Sequence, residues 1–277
     1  MPYWDDLYHH TAESLERHWM AHPLVREAIN RRVTGDPQVW PVTVLGRHVG
    51  KALSIGSGAG AFERTLIELG IATDVTGVDV SDAILGEARK AATEAGMTIN
   101  YVAADAREYM RERPATFDAV FFHASLHHFD QLDDLMATVK RALRPDGFLW
   151  YDEYVGPSRD EWTIAKLVAP NLAYYRLPRR MRRPKLVRAP INREDPTEAV
   201  ASSGIVAATA RHFRIAERHD YGGNLLFIVY PNLRQPHEGG LPRGEFDAWI
   251  AKLIEWDAAA MRRSPSWSTV IWARATD

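Results

Sequence analysis

The stretch that decides the fold of this chain reads Ala52-Leu53-Ser54-Ile55-Gly56-Ser57-Gly58-Ala59-Gly60-Ala61-Phe62. A short apolar run leads into three glycines at alternate positions, and an amphipathic segment follows. This order predicts a buried strand, a tight turn and a helix, the arrangement that brings a backbone against a bound nucleoside. Each glycine is expected to remove a Cβ atom where chain and ligand approach closely. Turns of this kind also occur with nothing bound, so the next strands are needed to decide.

The second predicted strand, residues 74–80, carries an acid near its end. Asp79 comes 23 residues after Gly56. A carboxylate at the tip of the second strand can accept both hydroxyls of a ribose, and about 20 residues is the spacing that a helix plus a strand requires. The pattern therefore favours a nucleoside ligand.

Three further strands are predicted, over residues 99–103, 117–122 and 148–151. A helix is predicted over 132–143, and the turn 144–147 precedes the fifth strand. Because strand and helix alternate five times, the sheet should be parallel, with ligands bound at the carboxyl ends of its strands.

Two families share a glycine turn followed by an acidic second strand. Gly56, Gly58 and Ala61 satisfy the looser G-x-G-x-x-A pattern of a dinucleotide-binding dehydrogenase. The later motifs are different: Asp105 follows the third strand, F-D-A-V-F-F forms the fourth, and L-R-P-D-G precedes the fifth. In these motifs the chain resembles class I S-adenosylmethionine-dependent methyltransferases.

This resemblance implies an α/β, Rossmann-like fold with a seven-stranded, mostly parallel sheet and an antiparallel last strand. It also implies S-adenosyl-L-methionine as cofactor and S-adenosyl-L-homocysteine as product. The glycines would flank the methionine end, Asp79 would hold the ribose, and Asp105 with the backbone of Ala106 would face the adenine. The implied cofactor-binding residues are Gly56, Ser57, Gly58, Gly60, Asp79, Val80, Asp105, Ala106 and His123.

One departure from the family pattern concerns the amino group of the methionine moiety. The family usually has an acidic residue where this chain has Ser54. Glu63 or a backbone carbonyl would then have to receive the amino group.

At a finer level, the chain resembles a bacterial methyltransferase subgroup with a D/N-E-Y-V-G-P-S-R motif. The resemblance rests on residues 22–26, 30–37, 152–159 and 221–226. Members often sit beside, or are fused to, glycosyltransferase and natural-product modules, which implies a small-molecule or glycan acceptor.

Composition sets the broad class. Of 277 residues, 46% are hydrophobic and 25% charged, the net charge is −2, and there is no cysteine. Disulfides, thiolate nucleophiles and thiolate metal sites are thereby excluded. The near-neutral charge gives no overall attraction to nucleic acid or anionic membranes. With no secretion signal and no apolar run of about 20 residues, we expect a cytoplasmic enzyme with neither nucleic acid nor membrane as partner, either monomer or homodimer.

We expect a single methyltransferase domain with four parts. They are a helical N-terminal cap (1–48), a cofactor-binding core (49–155), an insertion or acceptor region after strand five (156–211) and closing strands and helices (212–277). The last two strands are predicted over 213–219 and 268–274. Phe246, Trp249 and Ile250 begin a helical pattern between them.

Three residues are candidates for the chemistry. Leu126-His127-His128-Phe129-Asp130 lies where some O-methyltransferases carry L-H-D-W, whose histidine deprotonates the acceptor, and this points to His127. A histidine suits a general base because its ordinary pKa lies near neutrality. His128 and Glu153 are the other candidates, although L-H-H can be a structural turn and Glu153 can form a salt bridge to Arg159. Asp152 and Glu153 point to opposite faces of a strand, so no metal site is predicted.

The acceptor-binding candidates are less defined. Tyr154 and Arg159 follow strand five, and Tyr3, Trp4 and Tyr8 could line the pocket from the N-terminal cap, as could His9 and His10. The insertion carries seven basic residues from Arg176 to Arg188 and no acid. This run is either a solvated face or a clamp, through Arg179 and Arg180, on a phosphate or carboxylate of the acceptor.

The sequence thus predicts a methyltransferase that modifies a natural product or sugar, at oxygen. Carbon or nitrogen methylation of an aromatic, indole or prenyl-type compound is the first alternative. A non-catalytic cofactor-binding subunit is the second.

Overall fold

The structure, a computed structural model, describes residues 17–275. Its strands are β1 (Val49–Ile55), β2 (Ala72–Asp79), β3 (Asn100–Ala103), β4 (Phe117–His123), β5 (Leu143–Tyr154), β6 (Phe213–Gly222) and β7 (Ser268–Ala275). Its α-helices are α1 (Pro23–Thr34), α2 (Ala61–Glu68), α3 (Asp82–Glu94), α4 (Ala106–Arg111), α5 (Leu132–Ala142), α6 (Ile164–Arg176), α7 (Ile205–His212), α8 (Leu226–Val229) and α9 (Arg243–Met261). Short 3₁₀ helices include Pro41–Leu45, Leu126–His128 and Arg179–Met181.

All seven strands form one sheet in the order β3-β2-β1-β4-β5-β7-β6. Strands β1 to β5 are parallel, and β7 is antiparallel to both of its neighbours. The predicted α/β, Rossmann-like sheet with an antiparallel last strand is confirmed. The strand order reverses between β1 and β4, and ligands of such sheets bind in the crevice at that point.

Hydrophobic cores fill both faces of the sheet. Phe121 and Trp150 belong to one core, and their chain neighbours Phe122 and Tyr151 belong to the other. Alternate side chains of a strand point to opposite faces, so a strand covered on both sides must be apolar throughout. This explains the continuous apolar runs at 119–122 in β4 and 148–151 in β5.

The fifth strand differs from its prediction. It begins at Leu143, so the predicted turn at 144–147 lies within its bounds. Leu143 already pairs with Phe117, and the register then shifts before Phe148 pairs with Ala119. Asp146 takes a left-handed backbone angle, φ 67°. The predicted turn is therefore an irregularity inside a longer strand.

Residues 17–48 contain α1 between two short 3₁₀ helices. Arg32 on α1 donates to the carbonyl of Tyr221 at 2.6 Å and to that of Ile254 at 3.2 Å, which ties the helix to β6 and α9. Tyr3, Trp4, Tyr8, His9 and His10 lie outside the described residues. Between residues 17 and 275, no helix has both the length and the apolar character needed to cross a bilayer.

Candidate active site

The glycine turn lies at the carboxyl end of β1, beside the crevice. Gly56, Gly58 and Gly60 all have positive φ angles, 71°, 49° and 73°. A Cβ atom on Gly56 would lie 2.5 Å from the Cβ of Ser125, and one on Gly60 would lie 2.2 Å from the Tyr101 hydroxyl. Only at Gly58 would it find space, with its nearest neighbour at 3.7 Å. Two of the three glycines are therefore required by packing within the protein, and Gly58 is the one that leaves room for a ligand.

Asp79, at the end of β2, holds this turn in place. Its carboxylate accepts the N–H of Gly58 at 2.9 Å and the N–H of Ser81 at 3.0 Å, one on each oxygen. A carboxylate offers about four acceptor positions, so two remain for hydroxyl groups of a ligand. The neighbouring Val80 is an exposed apolar side chain. Such a surface suits the flat face of a base.

The third strand ends in a helix cap. Asp105 accepts the N–H of Glu108 at 3.0 Å and is the N-cap of α4, and Ala106 is the first residue of that helix. The predicted adenine-facing pair thus lies at the carboxyl end of β3, next to the end of β2.

A cavity of about 180 Å³ lies against the glycine turn. It is lined by Trp40, Ser54, Gly56, Ser57, Ala59, Ala61, Phe62, Glu63, Thr65 and His123. Phe62 is stacked between His123 and Trp150, with ring centroids 4.7 Å and 5.4 Å away. Because His123 ends β4, the cavity spans the point where the strand order reverses.

Glu63 is the most unusual group in this cavity. Its side chain is completely buried, and neither carboxylate oxygen has a hydrogen-bond partner in the described part of the chain. The nearby Ser57 hydroxyl lies within 3.5 Å of the carbonyls of Ser54 and Val78 instead. Burial raises the pKa of Glu63 to about 7, and the closeness of the Ser54 and Ser57 hydroxyls only moderates this rise. A buried acid without a partner calls for a cationic or donor group from a ligand.

His127 and Glu153 form a buried pair. Nδ1 of His127 lies 2.7 Å from Oε2 of Glu153. The other carboxylate oxygen accepts the N–H groups of Leu126, at 2.6 Å, and of Ser125. Glu153 therefore binds His127 and the backbone before it. Arg159 instead donates to the carbonyls of Asp195 and Asn192.

This pair controls the protonation of His127. Burial alone would lower the pKa of His127, but the charge and hydrogen bond of Glu153, helped by Glu198 and Asp195, raise it to about 9. Burial would likewise raise the pKa of Glu153, yet the imidazole and two backbone donors lower it overall. A carboxylate on Nδ1 fixes the tautomer, so Nε2 is the atom that can exchange a proton with a ligand.

His128 has the opposite character. Burial, followed by the charge of His127, lowers its pKa to about 4, although Asp195 and Glu153 act the other way. Its Nδ1 lies 3.1 Å from the Thr197 hydroxyl and 3.4 Å from Asp195. The pKa values of the two adjacent imidazoles are thus shifted in opposite directions.

His127, His128 and Glu198 could hold a metal ion, since their ligand atoms lie within 4.8 Å of one another. Glu198 was missed in the sequence because it lies in an irregular segment with no motif. An ion there would occupy Nε2 of His127, so metal binding and proton transfer at this atom exclude each other.

The loop that carries the histidine pair contacts the glycine turn through Ser125. The Ser125 hydroxyl donates to the carbonyl of Ile55 at 2.6 Å, and Ser125 fills the space that a Gly56 side chain would need. On the other face of β5, Asp152 accepts the Tyr221 hydroxyl at 2.6 Å and lies 4.0 Å from His123. The two adjacent acids of β5 thus contact different histidines, Asp152 lying near His123 and Glu153 bonding His127.

The predicted acceptor residues are separated in the structure. Tyr154 stacks on Phe227 with centroids 4.5 Å apart, next to Glu153. Arg159 holds an irregular segment through its carbonyls. Arg179 and Arg180 are exposed in their 3₁₀ helix and are not among the residues that line the cavity.

The sequence profile of the family described as "Methyltransferase domain" matches residues 53–151, from β1 to β5. Residues 53–151 therefore match a methyltransferase domain. The matched part includes the glycine turn, Asp79, Asp105 and the histidine pair, whereas Glu153 lies two residues beyond its end.

Curated relatives match part of the chain. A ubiquinone biosynthesis O-methyltransferase of Burkholderia lata is 31% identical over 101 residues, 36% of this chain and 43% of the relative. A protein of that description from Colwellia psychrerythraea is 29% identical over 120 residues, 43% of this chain and 48% of the relative. The matched part of the chain thus spans less than half the length of these relatives.

Solved structures share the fold over most of the chain. Phosphoethanolamine N-methyltransferase 2 of Haemonchus contortus has a TM-score of 0.53 at 17% identity, covering 92% of this chain and 56% of that one. The [4+2]-cyclase SpnF has a TM-score of 0.52 at 17% identity, covering 92% and 81%. The fold of this methyltransferase domain therefore occurs with more than one activity.

Proposed function

We propose that this protein transfers a methyl group from S-adenosylmethionine to a hydroxyl oxygen of a small molecule, a natural product or sugar. The observation that carries the proposal is the contact between the two halves of the site. Ser125 packs on Gly56, and His127, two residues later, is held by Glu153. The loop that contacts the glycine turn through Ser125 thus also carries a base with a fixed tautomer, an arrangement suited to methyl transfer to a hydroxyl group.

The described residues fit the cofactor part by part. Gly58 leaves room for it, Asp79 has acceptor positions for the ribose hydroxyls, and exposed Val80 suits the adenine. Asp105 and the backbone of Ala106 are assigned to the adenine edge. Ser57 and His123 line the cavity for the methionine end.

When bound, the cofactor supplies a methyl carbon on a positive sulphur atom. Nε2 of His127 takes the proton of the acceptor hydroxyl as the oxygen–methyl bond forms and the sulphur–methyl bond breaks. Glu153 is buried behind His127, and it orients the imidazole and stabilises its positive charge. Tyr154, beside Glu153, is assigned to the acceptor wall.

Two alternatives are distinguished by experiment. Methylation at carbon or nitrogen would need no base, and a non-catalytic cofactor-binding subunit would produce no S-adenosylhomocysteine. We expect the purified protein, given a deuterated-methyl cofactor and a panel of phenols and sugars, to label a hydroxyl oxygen, as located by mass spectrometry and NMR. A chelator should leave the yield unchanged, because Nε2 of His127 is proposed to take the proton itself, without a metal ion. Label on carbon or nitrogen, or none with any acceptor, would reject the proposal.

Glu63 is proposed as the partner of the methionine ammonium group, in place of the usual acid at position 54. Glu63→Gln should weaken S-adenosylhomocysteine binding about 10- to 100-fold, because a charge-assisted bond contributes about 1.5 to 3 kcal/mol. Calorimetry should show unchanged affinity for 5′-methylthioadenosine, which lacks the amino acid moiety. The matched control is Glu68→Gln, an exposed acid on the same helix. Equal losses for both ligands would show that Glu63 only supports the cavity.

The ligand-free stability gives a second measure of the same variant. The folded pKa of Glu63, about 7, lies above its ordinary 4.5, so the native state loses stability as pH rises through this interval. Glu63→Gln removes this loss. As the pH rises from 5.5 to 8, the free energy of unfolding of the parent should therefore fall by about 2 kcal/mol relative to that of the variant.

A further inference from the structure

Helix α6 has an apolar face that the protein leaves uncovered. Ile164, Val168, Leu172 and Tyr175 are between 51% and 85% exposed. At about 100° per residue, their spacing places all four within an arc of about 80°. The other side of the helix, with Ala173 and Tyr174, is already buried in the core. The exposed stripe therefore does not contribute to the core, and an exposed apolar surface of this kind is typical of a binding site.

A basic segment runs along this stripe. Asn171 exchanges two hydrogen bonds with Val187, at 3.1 Å and 3.0 Å, and the Tyr175 hydroxyl donates to the carbonyl of Lys185 at 2.7 Å. These bonds bring exposed Leu186 and its basic neighbours beside the helix. We call the stripe together with residues 176–191 the α6 face.

The α6 face is strongly cationic. Its exposed basic residues are Arg176, Arg179, Arg180, Arg183, Lys185 and Arg188. There is no acid between positions 176 and 193. Among the described residues, only Arg183 of this set has an ion pair, with Glu238 at 3.5 Å. The chain as a whole has a charge of −2, so the positive charge is a local property of this surface.

A groove lies between the basic segment of the α6 face and helix α8. It has a volume of about 720 Å³ and is lined by Lys185, Leu186 and Arg188 on one side and Phe227 and Ile228 on the other. Phe227 stacks on Tyr154, the neighbour of Glu153. Phe227 on the inner wall of the groove is thus in direct contact with Tyr154, which we assign to the acceptor wall.

We propose that the α6 face binds the surface of an anionic lipid bilayer. An apolar stripe flanked by lysine and arginine is the pattern that enters the headgroup region, because the apolar side chains reach the acyl boundary while the cations meet lipid phosphates. Charge complementarity selects this partner over an uncharged apolar protein surface. If the proposed function holds, the groove also leads an amphiphilic acceptor from the bilayer towards His127.

Vesicle sedimentation tests the membrane proposal with the purified full chain. Binding is expected to vesicles containing about one third phosphatidylglycerol, to decline with salt, and to be weak on pure phosphatidylcholine. Lys185→Glu/Arg188→Glu should weaken it about 30-fold or more, at about tenfold per 1.4 kcal/mol. Leu172→Asp should also reduce it, whereas Leu69→Asp, an equally apolar residue 43% exposed elsewhere, should not.

Three outcomes would overturn the membrane proposal. They are equal binding to neutral and anionic vesicles, no effect of the α6-face variants, and a dimer in solution that Leu172→Asp dissociates, which would assign the face to a second copy. S-adenosylhomocysteine binding is measured on each variant and should stay unchanged. Since sedimentation needs no methyl transfer, failure of the membrane proposal and failure of the proposed function are separable.

Discussion

His127→Ala is expected to lower kcat by about 100-fold or more while leaving cofactor affinity nearly unchanged, because a positioned general base contributes at least this much. The cavity proposed for the cofactor is lined by His123, and His127 is not among its lining residues. His128→Ala is the matched control: His128 is the neighbouring imidazole, and its side chain is held by Thr197 and Asp195 instead. We expect it to reduce turnover far less. Unchanged turnover in both variants would favour carbon methylation.

The pH profile of the same reaction gives a test that a purely structural role would not pass. Since only neutral His127 accepts a proton and Glu153 raises its pKa to about 9, the rate should rise with pH up to about 9. Removing the charge in Glu153→Gln should lower this pKa and move the rise to lower pH. A midpoint near the ordinary histidine value in the parent enzyme would contradict the assignment.

Asp79→Ala has the second large expected effect. It should weaken S-adenosylmethionine binding by about 2 to 3 kcal/mol, roughly 30- to 150-fold, through lost charge-assisted bonds to the ribose. Calorimetry measures the change. The variant also loses the bonds to the Gly58 and Ser81 N–H groups, so part of the effect comes from a looser turn.

Two variants separate the effects of Asp79→Ala. Asp79→Asn keeps an acceptor for Gly58 but not the charge, and it should recover only part of the affinity. Asp82→Ala removes an exposed acid nearby that pairs with Arg89 at 3.0 Å, and it should bind the cofactor as the parent does. A similar loss in Asp82→Ala would mean that general electrostatics, and not the ribose contact, determines affinity.

Much of the sheet could be predicted from the sequence because its signals are local. The glycine turn, the acid 23 residues later and the apolar strands each depend on neighbours in the chain. The helix beginning near Phe246 and the last two strands follow from periodicity in the same way, and the structure confirms them as α9, β6 and β7.

The site depended on pairings that no local pattern encodes. His127 and Glu153 are 26 residues apart and meet only because β4 and β5 are neighbours. The sequence named both residues as separate candidates for the base, but it could not show that one orients the other. Glu198 was missed because its segment has no periodicity.

The glycines illustrate a further limit. Their positions correctly predicted the turn, but the sequence explained the glycines by a close approach of the ligand. In the structure, a side chain on Gly56 would clash with Ser125 and one on Gly60 with Tyr101, and neither contact can be seen in the sequence. Likewise the basic run from Arg176 to Arg188 could be seen in the sequence, but the apolar stripe beside it emerged only when α6 was folded.

Calorimetric titration of the unmodified protein tests the central claim most directly. S-adenosylmethionine and S-adenosylhomocysteine should both bind, since Gly58, Asp79 and Glu63 are each proposed to contact one part of these ligands. Nicotinamide dinucleotides should show no comparable affinity. Tight NAD binding with no response to S-adenosylmethionine would contradict the account.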